Sequence, residues 1–157
     1  MAACIVEGDL MTTIAYKGGV IAYDSRCTRG TTITDDDCEK LQTVKGVHFL
    51  CTGATCDFDA LIAAYFGTAA SAPVEASGYA IDGCTLWLIG HDDKTGFWKN
   101  RIRLDRSDAI GNGSPFALTA MDMGATAAEA IEMAKKRDTC TGGTIRTLVV
   151  GAPSVVS

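Results

Sequence analysis

The chain has 157 residues, enough for one domain with a sizeable core. Hydrophobic residues make up 47% and charged residues 21%, the balance of a globular protein that stays in solution. A net charge of −5 argues against nucleic acid or an anionic membrane as the main partner, and no run approaches the ~20 apolar residues of a membrane-spanning helix.

The first ordered pattern begins after Met11. Thr12-Thr13-Ile14-Ala15-Tyr16, then Lys17-Gly18-Gly19, then Val20 to Arg26 reads as strand, tight turn, strand. Thr13, Ala15 and Lys17 share one face, and Ile14 and Tyr16 the other. Gly30 to Thr34 reads as a short strand and Asp35-Asp36-Asp37 as a turn. Lys40–Val44 and Val47–Thr52 form a second hairpin about Lys45-Gly46. The period then changes: Phe58, Leu61, Ile62, Tyr65 and Phe66 fall at helical spacing. Ala80–Ile89, the stretch from Phe97, and Ile102–Leu104 read as three more strands. Ser114-Pro115 reads as an N-cap followed by proline at the first helical position. Thr126 to Glu129 is a capping box, and Lys135-Lys136-Arg137 suits the negative end of that helix's dipole. Gly142-Gly143 turns the chain into a last strand, Thr144–Gly151. Clustered strands interrupted by helices predict an α+β arrangement, two stacked sheets with helices outside, rather than a parallel βαβ fold.

The chemistry turns on Thr12. A threonine at a mature N-terminus carries nucleophile and base in one residue: its hydroxyl attacks and its own α-amine takes the proton. An α-amine has an unperturbed pKa near ~8, suited to that task. Methionine aminopeptidase tolerates threonine after methionine, so a start at Met11 exposes Thr12 directly. Residues 1–11 are otherwise a leader or pro-segment, and while they stay attached the α-amine is an amide. Seven cysteines (Cys4, Cys27, Cys38, Cys51, Cys56, Cys84, Cys140) form no CxxC pair, and there are only two histidines, His48 and His91. Neither a metal site nor a disulfide framework is expected, and a reducing cytoplasm is the simplest location. The amino terminus lacks the basic and long apolar stretches of a signal peptide.

These motifs, in order, carry a resemblance. TTIAYKGGVIAYDSR, Gly30, Cys38-Glu39-Lys40-Leu41 and Thr52-Gly53-Ala54-Thr55-Cys56-Asp57 resemble the amino half of a proteasome-type β subunit. Ala109 to Met121 resembles that family's glycine-serine-glycine loop and following helix, and Asp138-Thr139-Cys140-Thr141-Gly142 its Asp-x-x-Ser-Gly motif. The family is the N-terminal-nucleophile hydrolases, in the branch of the proteasome core and the bacterial two-ring peptidase. The resemblance runs from Thr12 to about Val150. It implies a four-layer α/β/β/α sandwich over residues 12–157 and threonine-type endopeptidase activity without a cofactor. It also implies a homo-oligomeric ring acting on peptide or unfolded protein, with room for an ATPase unfoldase as partner.

Carried over residue by residue, Thr12 matches the nucleophile. Asp24 and Lys40 match the pair beneath it, with the Lys40 ammonium a hydrogen bond from the Thr12 hydroxyl. Gly53 matches the residue whose N–H faces the oxyanion. Asp138 and Thr141 match the pair that orients the α-amine, threonine standing for serine. Asn112 stands where the family often has serine. Cys27, Thr28, Cys38, Gln42, Cys51 and Thr55 match the pocket for the residue before the cut. Each has a plainer reading: Lys40 as a snorkelling surface lysine, Asp138 as a salt-bridged helix cap, the cysteines as core filler. The short stretch between Asp57 and Ala109 leaves one clear helix where the family usually has two. Two other readings stay open: a non-catalytic structural ring subunit, and an amidase of the same superfamily. Cys4 as nucleophile fits poorly, because the glycine turn and the Asp-Lys pair are placed for Thr12.

Overall fold

The computed structural model describes residues 9–151. Residues 1–8, with Cys4 and most of the leader, lie outside them. The strands are β1 (Asp9–Leu10), β2 (Ile14–Lys17), β3 (Val20–Tyr23), β4 (Cys27–Arg29), β5 (Thr32–Asp35), β6 (Leu41–Val44) and β7 (Val47–Ala54), followed by helix α1 (Phe58–Tyr65). Then come β8 (Ala76–Asp82), β9 (Thr85–Asp92), β10 (Gly96–Arg101), β11 (Asp108–Ile110), α2 (Ser114–Asp122), α3 (Ala127–Arg137) and β12 (Arg146–Val149). All pairings are antiparallel. One sheet runs β1-β7-β8-β9-β10 with β6 also on β7, a second runs β11-β2-β3-β12, and β4-β5 stand as a separate pair.

Period-two patterning sorts the core into three shells. Ile14, Tyr16, Ile21 and Tyr23 from the second sheet meet Leu50, Tyr79, Ile81 and Leu86 from the first. The alternate residues of the same hairpin, Ala15 and Ala22, face Ala117, Met121, Ala130 and Ile131 of α2 and α3. Alanine at both strand positions lets two helices approach closely. On the far face of the first sheet, Phe49, Cys51, Ala80 and Ile89 pack under Phe58, Leu61 and Ile62 of α1. Each fully buried side chain of this kind contributes about 1.5–3 kcal/mol. The chain is thus a mixed α/β fold of antiparallel sheets, with α2 and α3 on one sheet and α1 on the other.

Local signals mostly hold. The two hairpin turns have positive φ at Gly18, Gly19, Lys45 and Gly46, where the expected turns lie. The Thr126–Glu129 capping box closes in both directions, at 3.2 and 2.9 Å. Lys17 Nζ donates to the Met121 and Ala125 carbonyls, satisfying the end of α2 and fixing it to the hairpin. Four expectations are corrected. Ala80–Ile89 is not one strand but two, β8 and β9, because Gly83 turns the chain at φ +60°. Gly30 lies in the β4–β5 turn, also at φ +60°, not in a strand. Ile102–Leu104 is not a strand: the Ile102 amide still donates to the Leu86 carbonyl of β9, but the chain then turns and the Leu104 carbonyl accepts from Tyr16 Oη. Gly113, not Ser114, is the N-cap of α2, with no side chain capping it.

Candidate active site

Thr12 lies between β1, of the first sheet, and β2, of the second. It is fully buried, and its Oγ1 has no hydrogen-bond partner. An unpaired buried hydroxyl costs about 1–3 kcal/mol, so something other than stability accounts for it. Gly111 explains how tightly the chain is held there: at φ +98°, a Cβ on it would stand 1.7 Å from the Thr12 carbonyl oxygen.

Two hydrogen-bonded groups lie around this threonine. In the first, Asp24 and Lys40 are both buried and pair at 2.9 Å. Asp24 Oδ1 also accepts from the Thr13 amide at 3.1 Å, and Oδ2 from the Gly142 amide at 3.0 Å. Three donors, one of them a lysine ammonium, thus satisfy this buried carboxylate. Lys40 is therefore not a snorkelling surface lysine. Its ammonium goes to Asp24, so the expected hydrogen bond to Thr12 Oγ1 is not made.

In the second group, Gly113 N–H donates to Thr13 Oγ1 at 2.9 Å, and Thr13 Oγ1 lies 2.7 Å from Thr141 Oγ1. Thr141 donates to Asp138 Oδ2 at 2.5 Å. A hydroxyl has one proton, so Thr13 must donate to Thr141 and the relay runs one way, toward Asp138. Asn112 Nδ2 donates to the other Asp138 oxygen at 2.6 Å. Asp138 is the C-cap residue of α3 and is buried, but its partners are Asn112, Thr141 and the Cys140 amide rather than the neighbouring Lys135–Arg137. Asn112 thus donates to Asp138.

Gly53, the next-to-last residue of β7, has φ +115°, and a Cβ there would lie 2.6 Å from the Glu75 carbonyl oxygen. Only glycine fits. The residues before Thr12 run against this point: Asp9 pairs with Ala54 and Leu10 with Gly53. A cavity of about 770 Å³ opens beside them, lined by Met11, Gly53, Glu75, His91 and Asn112 among others. His91 Nδ1 is buried there without a hydrogen bond.

The six expected pocket residues do not gather into that cavity. Cys27 and Thr28 lie on β4, Gln42 on β6, and Cys38 on the segment between β5 and β6. Burial, then a hydrogen bond with Cys38, pushes the Cys27 thiol up to about 12. Cys51 packs in the core with Phe58, Leu61 and Ile62 of α1, where burial pushes its thiol up to about 12. Thr55 is exposed at the turn before α1. Sequence reading missed Thr13, Gly113 and Gly142, which connect the two groups; the Thr12-Thr13 doublet and the Gly142-Gly143 pair were the available signals.

No family model matches the chain, and no curated protein matches it. Solved structures do. The BPH of Thiobacillus denitrificans in complex with epoxomicin superposes with a TM-score of 0.64 at 17% identity, over 93% of this chain and 100% of that one. The same protein without that ligand named gives 0.63 at 18%. Eukaryotic HslV from Trypanosoma brucei gives 0.66 at 20%, over 87% of this chain and 98% of that one. The chain has the fold of the proteasome β-subunit-like N-terminal-nucleophile hydrolases.

Proposed function

We propose that this chain, with the fold of a proteasome-type peptidase, is a threonine endopeptidase whose nucleophile is Thr12. The observation that carries the reading is the buried, unpartnered Thr12 hydroxyl set beside two satisfied acid-centred groups. Nearly every other polar group around it is engaged, and this one is free to react. The structure of a protein with this fold in complex with epoxomicin is consistent with that reading.

Cleavage of the Met11–Thr12 bond, or initiation at Met11 followed by methionine removal, frees the α-amine. That amine takes the Oγ1 proton as Oγ1 attacks the scissile carbonyl. The Lys40 ammonium, held by Asp24, supplies a fixed positive end under the site, and the Gly53 N–H faces the oxyanion. The leaving amine takes the proton back, and water, activated by the same α-amine, hydrolyses the acyl-enzyme. The Thr13–Thr141–Asp138 relay holds the backbone that carries the amine. The antiparallel pairing of Leu10 with Gly53 supports an extended peptide on the same track. The core shells support the four-layer sandwich as one domain over residues 12–157. The working form is a ring of copies in the cytoplasm, open to an unfoldase partner and to peptide or unfolded protein.

Expressed from Met11, the protein should be labelled at Thr12 by a peptide epoxyketone, and Thr12→Ala should lose the label. A label retained in Thr12→Ala overturns the assignment. Full-length protein that keeps its leader, assembles, and hydrolyses nothing makes the structural-subunit reading the better one, since Thr12 then has no α-amine.

A further inference from the structure

The residues just before Lys40 are Asp37, Cys38 and Glu39, and the guanidinium of Arg146 on β12 reaches all three. Nη2 pairs with Asp37 Oδ1 at 2.7 Å, Nη1 donates to the Cys38 carbonyl at 3.4 Å, and Nε pairs with Glu39 Oε2 at 3.3 Å. Nη1 also donates to the Oγ of Ser25, the residue after Asp24, and that hydroxyl donates onward to the Thr144 carbonyl. The Ser25 carbonyl accepts from the Cys38 amide at 2.9 Å, and Tyr23 Oη donates to Glu39 Oε1 at 3.1 Å. One guanidinium thus ties the segment that carries Asp24 to the segment that carries Lys40.

The local charge pattern explains why an arginine is needed there. Asp35, Asp36, Asp37 and Glu39 crowd carboxylates into a short run. Arg26 takes Asp36 at 2.8 Å, and among the described residues Asp37 and Glu39 have ion pairs with Arg146 alone. Without that cation, neighbouring like charges push the run apart. A planar fork of donors can hold two carboxylates, a carbonyl and a hydroxyl at once, which the point charge of a lysine cannot. The Asp24 and Lys40 side chains are at 0% exposure, whereas Arg146 is at 27%, so it stands outside the buried pair and acts on it through the chain. Its hydrogen bonds and ion pairs among the described residues reach neither Thr12 nor Gly53. We propose that Arg146 is a positioning residue: it braces residues 37–39 against Ser25 and so fixes where the Lys40 ammonium stands relative to Thr12. Its part in hydrolysis rests on Thr12 being the nucleophile; its hold on Lys40 does not.

Two measurements on protein started at Met11 test it. In the first, kcat and KM on a fluorogenic peptide are compared between parent and variants. Arg146→Ala should lower kcat by about tenfold with KM within about twofold, because a misplaced ammonium weakens the chemical step and leaves peptide binding alone. Arg146→Lys keeps the charge and loses the fork, so it should show the same pattern at smaller size, and it decides alone if Arg146→Ala does not fold. In the second, lysines are acetylated with acetic anhydride and mapped by mass spectrometry. Lys40 is buried and should be protected in the parent, and it should react about tenfold faster in Arg146→Ala as the 37–39 segment opens. Lys17, bonded to the carbonyls at the end of α2, should react at the parent's rate and so report that the fold is intact. A kcat within twofold of the parent, a loss that falls on KM alone, or Lys40 as protected as in the parent overturns the proposal. A parent that neither hydrolyses peptide nor takes the epoxyketone counts against the peptidase reading, and the acetylation of Lys40 then decides by itself whether Arg146 holds it.

Discussion

The groups around Thr13 and the β4–β5 hairpin are built in opposite ways. Asp24 takes donors from Thr13, Lys40 and Gly142, the last 118 residues away in sequence, all out of water. The β4–β5 pair forms a sheet of its own, with Thr32–Asp35 exposed and Ile33 49% exposed. Its base is tied down by Arg26–Asp36 at 2.8 Å and by the Thr144 amide on the Asp36 carbonyl, but its strands bury little. The first region is fixed many times over, so each member matters to fold and chemistry together. The second can change composition at small cost, because its side chains bury little.

The largest expected effect is at the centre of the first region. Thr12→Ala should lose all hydrolysis and labelling in protein started at Met11, while the melting temperature stays level or rises, because an unpaired buried hydroxyl is removed. A marked fall in melting temperature would mean that Thr12 holds the fold rather than reacts.

Lys40→Met should lower activity and stability together. It leaves Asp24 buried without its countercharge, at about 3–5 kcal/mol in denaturant unfolding. Hydrolysis should fall by about 10²-fold or more. Full stability in Lys40→Met would show that water reaches Asp24 and that the group is not sealed.

Gly53→Ala comes next. The added methyl meets the Glu75 carbonyl in a strained backbone region, and about 1–3 kcal/mol should be lost along with peptide binding. Unaltered KM in this variant would remove Gly53 from the peptide track.

On the hairpin, Ile33→Ser should change the unfolding free energy by no more than about 0.5 kcal/mol. A larger loss would erase the contrast between the two regions.

The smallest effect concerns thiols. A thiol raised to about 12 is protonated at pH 8, and only the thiolate reacts, so Cys27 and Cys51 should alkylate far more slowly than exposed Cys56 and Cys84. Keeping these thiols neutral stabilises the fold below pH ~9, and that contribution is lost as pH rises toward about 12. Mass spectrometry of alkylated peptides across pH 7–10 reads the difference. Rapid labelling of Cys51 at pH 8 would place it outside the core.

Much of this was legible because the signals are local. Hairpin turns at Gly18-Gly19 and Lys45-Gly46, the capping box at Thr126, and the helix at Phe58 each follow from a few neighbouring residues. Boundaries were lost where a single glycine decided them, as at Gly83, or where one cap residue moved, as at Gly113. The site residues came from motif order, and Asp24, Lys40, Asp138 and Thr141 are buried with partners. The placement of Cys51 was not legible: a side chain's face is set by how its strand packs, and Cys51 turned toward α1.

The sequence by itself determined the strand and helix periods, the turn positions, the charge pairings available, and a threonine doublet placed before a hairpin. Only the tertiary structure decided which of those charges lose their water. Lys40 could have been a surface residue on any reading of its neighbours; it is buried because Asp24 and Gly142 arrive from other parts of the chain. Likewise the direction of the Thr13–Thr141–Asp138 relay exists in no local segment. It follows from four donors and acceptors brought within hydrogen-bond reach by two packed sheets, where each hydroxyl has one proton to give.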